Sequence, residues 1–86
     1  MIRILVPEQL KKITDGKMEL EVSGASSLSD LIERLDLTYS GFKARVSNRN
    51  FILFFVNGED VRFLSGDSTP VKDGDEISIV AAVAGG

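Results

Sequence analysis

The chain has no cysteine, no histidine and no tryptophan, and only two prolines among its 86 residues. Each absence closes a class of chemistry. Without cysteine there is no disulfide framework, no thiolate zinc site and no cysteine nucleophile. Without histidine there is no Ser-His-Asp triad, no imidazole base and no usual transition-metal ligand set. Basic residues are the minority, ten against thirteen acidic ones for a formal charge of −3. That balance argues against nucleic acid and anionic membrane as partners. No apolar run approaches the ~20 residues of a membrane span, and the opening Met1-Ile2-Arg3-Ile4 does not read as a signal peptide. The expectation is a cytoplasmic protein.

What is present reads as one modest globule. Hydrophobic residues make up 43% of the chain and charged ones 27%, a mixture that can bury a core and is not that of a disordered segment. The length allows one core, assigned to residues 1–80, with residues 81–86 as a flexible C-terminal tail.

Ile2 to Val6 is rich in β-branched residues and stops at Pro7, while Met18-Glu19-Leu20-Glu21-Val22 alternates with period two. Both read as strands, paired as a hairpin across a long loop, with Met18, Leu20 and Val22 on the core face. Ser27 followed by Asp30 resembles a capping box, and Leu28, Leu31, Ile32 and Leu35 form one helical stripe. Tyr39 to Val46 is compatible with a second, shorter helix that turns Phe42 and Val46 inward. Phe51 to Val56 is a continuous apolar run ending in the tight-turn pair Asn57-Gly58, which favours a central strand. Val61 to Leu64 is read as a short partner strand and Glu76 to Val80 as the last one. One helix must then cover one face of a mixed sheet of four to five strands. This is an α+β arrangement of the β-grasp, or ubiquitin-like, type.

The acidic residues Asp67, Asp73, Asp75 and Glu76 lack calcium-loop spacing and a bidentate Glu at its end, so they read as solvated turns. The glycines match neither the phosphate-loop nor the dinucleotide pattern. No residue set within the chain reads as catalytic or metal-binding. Strand parity gives a different signal. Asn57 shares parity with Phe51, Leu53 and Phe55, so Ile52, Phe54 and Val56 face the core. Ser78 and Arg3 mark the same outward face, which puts Val80 and Leu5 there too. Leu5, Leu53, Phe55 and Val80 would form an apolar partner interface opposite the helix, unless the second helix or the long loops cover them.

The C-terminal Gly85-Gly86 is the sharpest feature. At a glycine frequency of ~7%, two in succession at a chain end arise by chance in about 0.5% of cases. Residues without Cβ can thread a narrow enzyme channel and carry a carboxylate to a reaction centre. An adenylating partner could join the Gly86 carboxylate to ATP and make AMP the leaving group, the partner supplying Mg²⁺ and electrostatic stabilisation.

The run Val56-Asn57-Gly58-Glu59-Asp60-Val61-Arg62-Phe63, the stretch Thr69 to Val80 and the end Ala82-Val83-Ala84-Gly85-Gly86 resemble the MoaD/ThiS family of ubiquitin-like sulfur-carrier proteins. Tyr39-Ser40-Gly41-Phe42 and the Val56-to-Phe63 stretch resemble most its CysO-type carriers of cysteine biosynthesis. The resemblance implies a thiocarboxylate on Gly86, with Ala84 and Gly85 threading the tail. It implies no bound cofactor, ATP and Mg²⁺ being used by an E1-like adenylyltransferase. It also implies a sulfur-donor enzyme and a sulfur-acceptor enzyme. In the CysO branch the acceptor is a PLP-dependent cysteine synthase, with a metalloprotease freeing the product. In the molybdopterin branch it is the large subunit of molybdopterin synthase. A ubiquitin-like modifier joined to lysines through Gly86 and a non-covalent module using the sheet face are the other readings. One departure is Ala81, where most relatives have a proline that would stiffen the tail's exit.

Overall fold

The computed structural model describes residues 1–82. Five strands form one mixed sheet in the order β2-β1-β5-β3-β4. They are β1 (Ile2–Leu5), β2 (Glu19–Val22), β3 (Ile52–Val56), β4 (Glu59–Asp60) and β5 (Glu76–Ala81), with helices α1 (Leu28–Thr38) and α2 (Phe42–Arg45) between β2 and β3. β1 is antiparallel to β2 and parallel to β5, and β3 is antiparallel to both β5 and β4.

Helix α1 forms where the apolar spacing requires it. The Ser27 hydroxyl accepts the Asp30 backbone N–H at 3.1 Å and so caps the first turn. The reciprocal half of the cap differs from expectation, because the Asp30 carboxylate accepts from the Ser26 N–H at 3.0 Å, one residue before the cap. Leu28, Leu31, Ile32 and Leu35 are all buried on the face that meets the sheet. Removing one of them, as in Leu31→Ala, would cost about 2–5 kcal/mol in lost burial and cavity formation. The short α2 seals the end of this layer with Phe42 and Val46, both fully buried.

The sheet's inner face supplies Ile2, Ile4, Leu20, Ile52, Phe54, Val56, Ile77 and Ile79. Leu10, the helix stripe, Phe42 and Val61 join the same cluster, so helices and turns are stacked on this one side. The Asn57-Gly58 turn adopts the left-handed conformation at both residues, with φ of 50° and 86°. Such a turn matches the twist of the β3–β4 hairpin.

Two local expectations are corrected, and one short element is added. Met18 is exposed rather than on the core face. It lies just past the last paired residue of β2, Glu19, where strand alternation no longer dictates direction. Residues Val61–Phe63 form a 3₁₀ turn and not a strand. The cause is local, since the Asp60 carboxylate accepts the Arg62 N–H at 2.9 Å and bends the chain away from the ladder. The loop after β1 holds a 3₁₀ turn at Glu8–Leu10 that buries Leu10, an element with too few residues to show periodicity. The second helix, the inward residues of β3 and the hairpin pairing of β1 with β2 are found as expected.

Candidate functional site: the outward sheet face and the root of the tail

Register decides which residues share the face away from the helices. Leu53 lies opposite Val80 and Phe55 opposite Ser78, and on the other side Ser78 lies opposite Leu5. Leu5, Leu53, Phe55 and Val80 are therefore neighbours on one face. Leu5, Leu53 and Phe55 are half-buried and Val80 is 42% exposed. None of the four belongs to the core cluster, because the helices occupy the opposite face. The second helix, which could have covered this patch, packs on α1 instead.

Charge frames the patch on both edges. Glu19 stands opposite Leu5 and Glu21 opposite Arg3, on the β2 side. Arg3 is held between Glu19 at 3.1 Å and Glu76 at 3.3 Å. On the β4 side, Asp60 stands opposite Phe55, and its carboxylate is clasped by the Arg62 guanidinium at 2.6 Å. The hydrogen bond from that guanidinium, more than any other influence, holds the Asp60 carboxyl below its usual pKa.

β5 is the strand that leads to the tail. β5 continues through Ala81, half-buried opposite Ile52, one residue further than Val80. Among the described residues the last rung is the Ala82 N–H donating to the Phe51 carbonyl at 2.6 Å. The chain before Phe51 turns, with the Asn48 carbonyl accepting from both the Phe51 and the Ile52 N–H. Ala84, Gly85 and Gly86 lie outside the described residues.

Two further hollows are present. One, of about 120 Å³, is lined by Ile52, Leu53, Val61 and Arg62 among others, with Arg49 stacked over the Phe54 ring at 4.6 Å. It is below the size usual for cofactor sites. The other, of about 370 Å³, is lined by Ser29, Glu33, Lys43, Ser47, Arg49 and Asp67. Its cations are already engaged, Lys43 with Glu33 and Arg49 with Asp67. The acidic residues set aside from the sequence are dispersed. Asp67 faces Arg49, Asp75 faces Asn57, Glu76 faces Arg3, and Asp73 lies 3.7 Å from the Met1 amino group. Among the described residues no three His, Cys, Asp or Glu side chains are placed to hold a metal, and no helix is long and apolar enough to cross a membrane.

Sequence reasoning did not single out Phe51, Phe63 or Leu64 as surface features, yet they are 42%, 84% and 42% exposed. Phe51 was open to discovery, since it has the parity of Leu53 and Phe55. Phe63 was not, because its exposure depends on the 3₁₀ turn.

Comparison with known proteins agrees with this architecture. The ThiS family profile matches residues 4–86. The sulfur carrier protein CysO of Mycobacterium tuberculosis is 35% identical over 99% of this chain and 98% of its own length. Its crystal structure superposes with a TM-score of 0.89 at 32% identity, covering 96% of this chain and all of that one. The Amycolatopsis orientalis BexX/CysO complex contains a chain that matches with a TM-score of 0.91 and 36% identity, complete on both sides. The small archaeal modifier protein 1 of Methanosarcina acetivorans follows at 0.80 and 27%, covering 99% of this chain and 95% of that one. A family profile over nearly the whole chain and a relative 35% identical end to end place it: the chain belongs to the ThiS family of sulfur-carrier proteins.

Proposed function

We propose that this chain carries sulfur for cysteine biosynthesis as a thiocarboxylate on Gly86. The observation that supports this most is the end-to-end similarity to CysO, which runs through a family match that includes Gly85-Gly86. The chemistry needs no side chain of the carrier. A carboxylate oxygen of Gly86 attacks the α-phosphorus of ATP on an E1-like adenylyltransferase, pyrophosphate leaves, and an acyl-adenylate forms. Sulfide from a sulfur-donor enzyme then attacks the activated carbonyl, AMP leaves, and loss of a proton gives the thiocarboxylate. The enzyme supplies Mg²⁺ and the electrostatic stabilisation of both steps. The carrier supplies a body that docks and a tail that reaches. A PLP-dependent cysteine synthase is the acceptor in this reading, and the cytoplasm is where the ATP-dependent loading takes place.

Intact-mass measurement after incubation with the adenylyltransferase, ATP and sulfide should show one oxygen exchanged for sulfur. Deleting Gly86 should abolish the exchange. Persistent absence of the product with an enzyme shown to be active overturns the proposal. Passing labelled sulfur to cysteine on the synthase, and not to a pterin precursor on a molybdopterin synthase large subunit, separates the two acceptors. The likeness to an archaeal modifier protein favours a second reading, attachment to lysines through Gly86. Gly86-isopeptide remnants on other proteins are its signature.

A further inference from the structure

We propose that Phe63 is an anchor for the enzyme that adenylates the Gly86 carboxylate, an inference that rests on the sulfur-carrier reading above. The residues around Phe63 are spent on holding it. Val61 is buried in the core. The Asp60 carboxylate accepts the Arg62 N–H at 2.9 Å and takes the Arg62 guanidinium at 2.6 Å. These contacts fix the 3₁₀ turn and leave Phe63, at 84% exposure, as a large ring standing in water on a rigid support. A preformed aromatic of this kind loses little freedom on binding, which is why such residues dominate the energetics of interfaces.

Its place in the fold names the partner. Val61 and Arg62 line one hollow with Ile52 and Leu53, so the turn sits beside the start of β3. The same end of the sheet releases the tail, at the Ala82–Phe51 rung. Of the seven large apolar residues exposed among those described, Phe51, Phe63, Leu64 and Val80 belong to this end. Residues 83–86 follow Ala82, and four residues span at most about 14 Å when fully extended. An enzyme that closes its reaction centre around the Gly86 carboxyl must therefore cover the tail root, within reach of Phe63. An apolar recess in that enzyme is the complement the geometry requires.

The test uses the full chain and the E1-like adenylyltransferase of the same organism, reading Gly86 adenylation and thiocarboxylate formation. Phe63→Ala should raise KM at least about tenfold while kcat stays within about twofold, the pattern of lost docking energy. Phe63→Trp should recover most of the loss. Leu37→Ala serves as the control, because Leu37 is 88% exposed but lies on α1, a different element from the turn that holds Phe63, and its KM should not move. The melting temperature of Phe63→Ala should match that of the parent, since the ring makes no core contact. An unchanged KM for Phe63→Ala, or an equal rise for Leu37→Ala, overturns the inference. Calorimetric titration of the same enzyme keeps it separate from the sulfur-carrier reading. If the parent chain gains no sulfur yet binds, and Phe63→Ala weakens that binding about tenfold, the anchor stands and the sulfur reading fails. If the parent does not bind, the anchor falls.

Discussion

Asn57, just after β3, and Asp75, just before β5, are joined side chain to side chain at one end of the β3–β5 ladder. The Asn57 amide donates to the Asp75 carboxylate at 3.0 Å, and its carbonyl accepts the Glu76 N–H at 2.9 Å. Asp75 also accepts the Lys72 N–H at 2.9 Å. One amide thus ties the β3–β4 turn to the loop that launches β5, the strand that ends in the tail. Asn57 does this from the left-handed region, at φ 50°. Two variants separate the tie from the turn. Asn57→Gly keeps the backbone conformation and loses the hydrogen bonds, at a cost of about 1–2 kcal/mol. Asn57→Ala loses both and should cost about 1 kcal/mol more, because alanine resists positive φ. Urea denaturation of the pair measures the difference.

The same contact makes stability depend on pH. Hydrogen bonding from Asn57, helped by the Lys72 N–H and charge, holds Asp75 below the usual carboxylate range against the opposing effect of burial. A carboxyl whose pKa falls on folding stabilises the fold above the unfolded value of about 3.9 and loses that contribution as pH drops through the lower folded value. Asp30 and Asp60 shift in the same direction, chiefly through the Ser26 N–H and the Arg62 guanidinium. The denaturation midpoint should be flat from about pH 5 to 7 and fall below about pH 4. Asp75→Asn should be less stable at neutral pH and lose less on acidification. A parallel decline for both proteins would remove Asp75 from the account.

Much of this fold was legible because its largest elements repeat a simple period. The stripe of α1 and the inward set Ile52, Phe54 and Val56 each agree between sequence and structure, since burial on one side leaves only one pattern open. The failures are at element ends and in short turns. Met18 continues the alternation of β2 on paper, but although its carbonyl still accepts the Val6 N–H at 2.9 Å, it lies at a bend just outside the strand. Val61 to Phe63 has the composition of a strand, yet one hydrogen bond from Asp60 redirects it. The outward parity of Leu5, Leu53, Phe55 and Val80 was readable from single polar neighbours, Arg3, Asn57 and Ser78. Phe63 was hidden because its exposure follows from a turn and not from periodicity.

Proline at the tail root should have opposite effects at adjacent positions. The Asn57 N–H donates to the Glu76 carbonyl and the Ala82 N–H to the Phe51 carbonyl, so even-numbered residues of β5 aim their amides at β3. The Ala81 amide points the other way, toward β1. There the parallel ladder has ended at the Leu5–Ser78 pair, and the next carbonyl in the series after Arg3 and Leu5, that of Pro7, accepts from the Leu10 N–H at 3.0 Å instead. Ala81→Pro should therefore leave the melting temperature within about 2 °C of the parent. Ala82→Pro removes the last rung and should cost about 1 kcal/mol. Thermal melts of the two variants give the comparison, and a larger loss for Ala81→Pro would contradict the register.

Val80 offers the cleanest separation of folding from docking on the outward face. Its side chain is 42% exposed, opposite Leu53 and outside the core. Val80→Asp should cost only about 1 kcal/mol, mainly through strand propensity. An enzyme surface that covers the tail root must nonetheless dehydrate the new carboxylate, and burying an unpaired charge is costly. Thiocarboxylate formation at a fixed enzyme concentration should fall by about tenfold or more, with raised salt failing to restore it. Val80→Ile, which keeps the apolar surface, should load like the parent. If Val80→Asp loads normally while remaining folded, the enzyme approaches the tail from another side, and the patch of Leu5, Leu53, Phe55 and Val80 loses its assigned role.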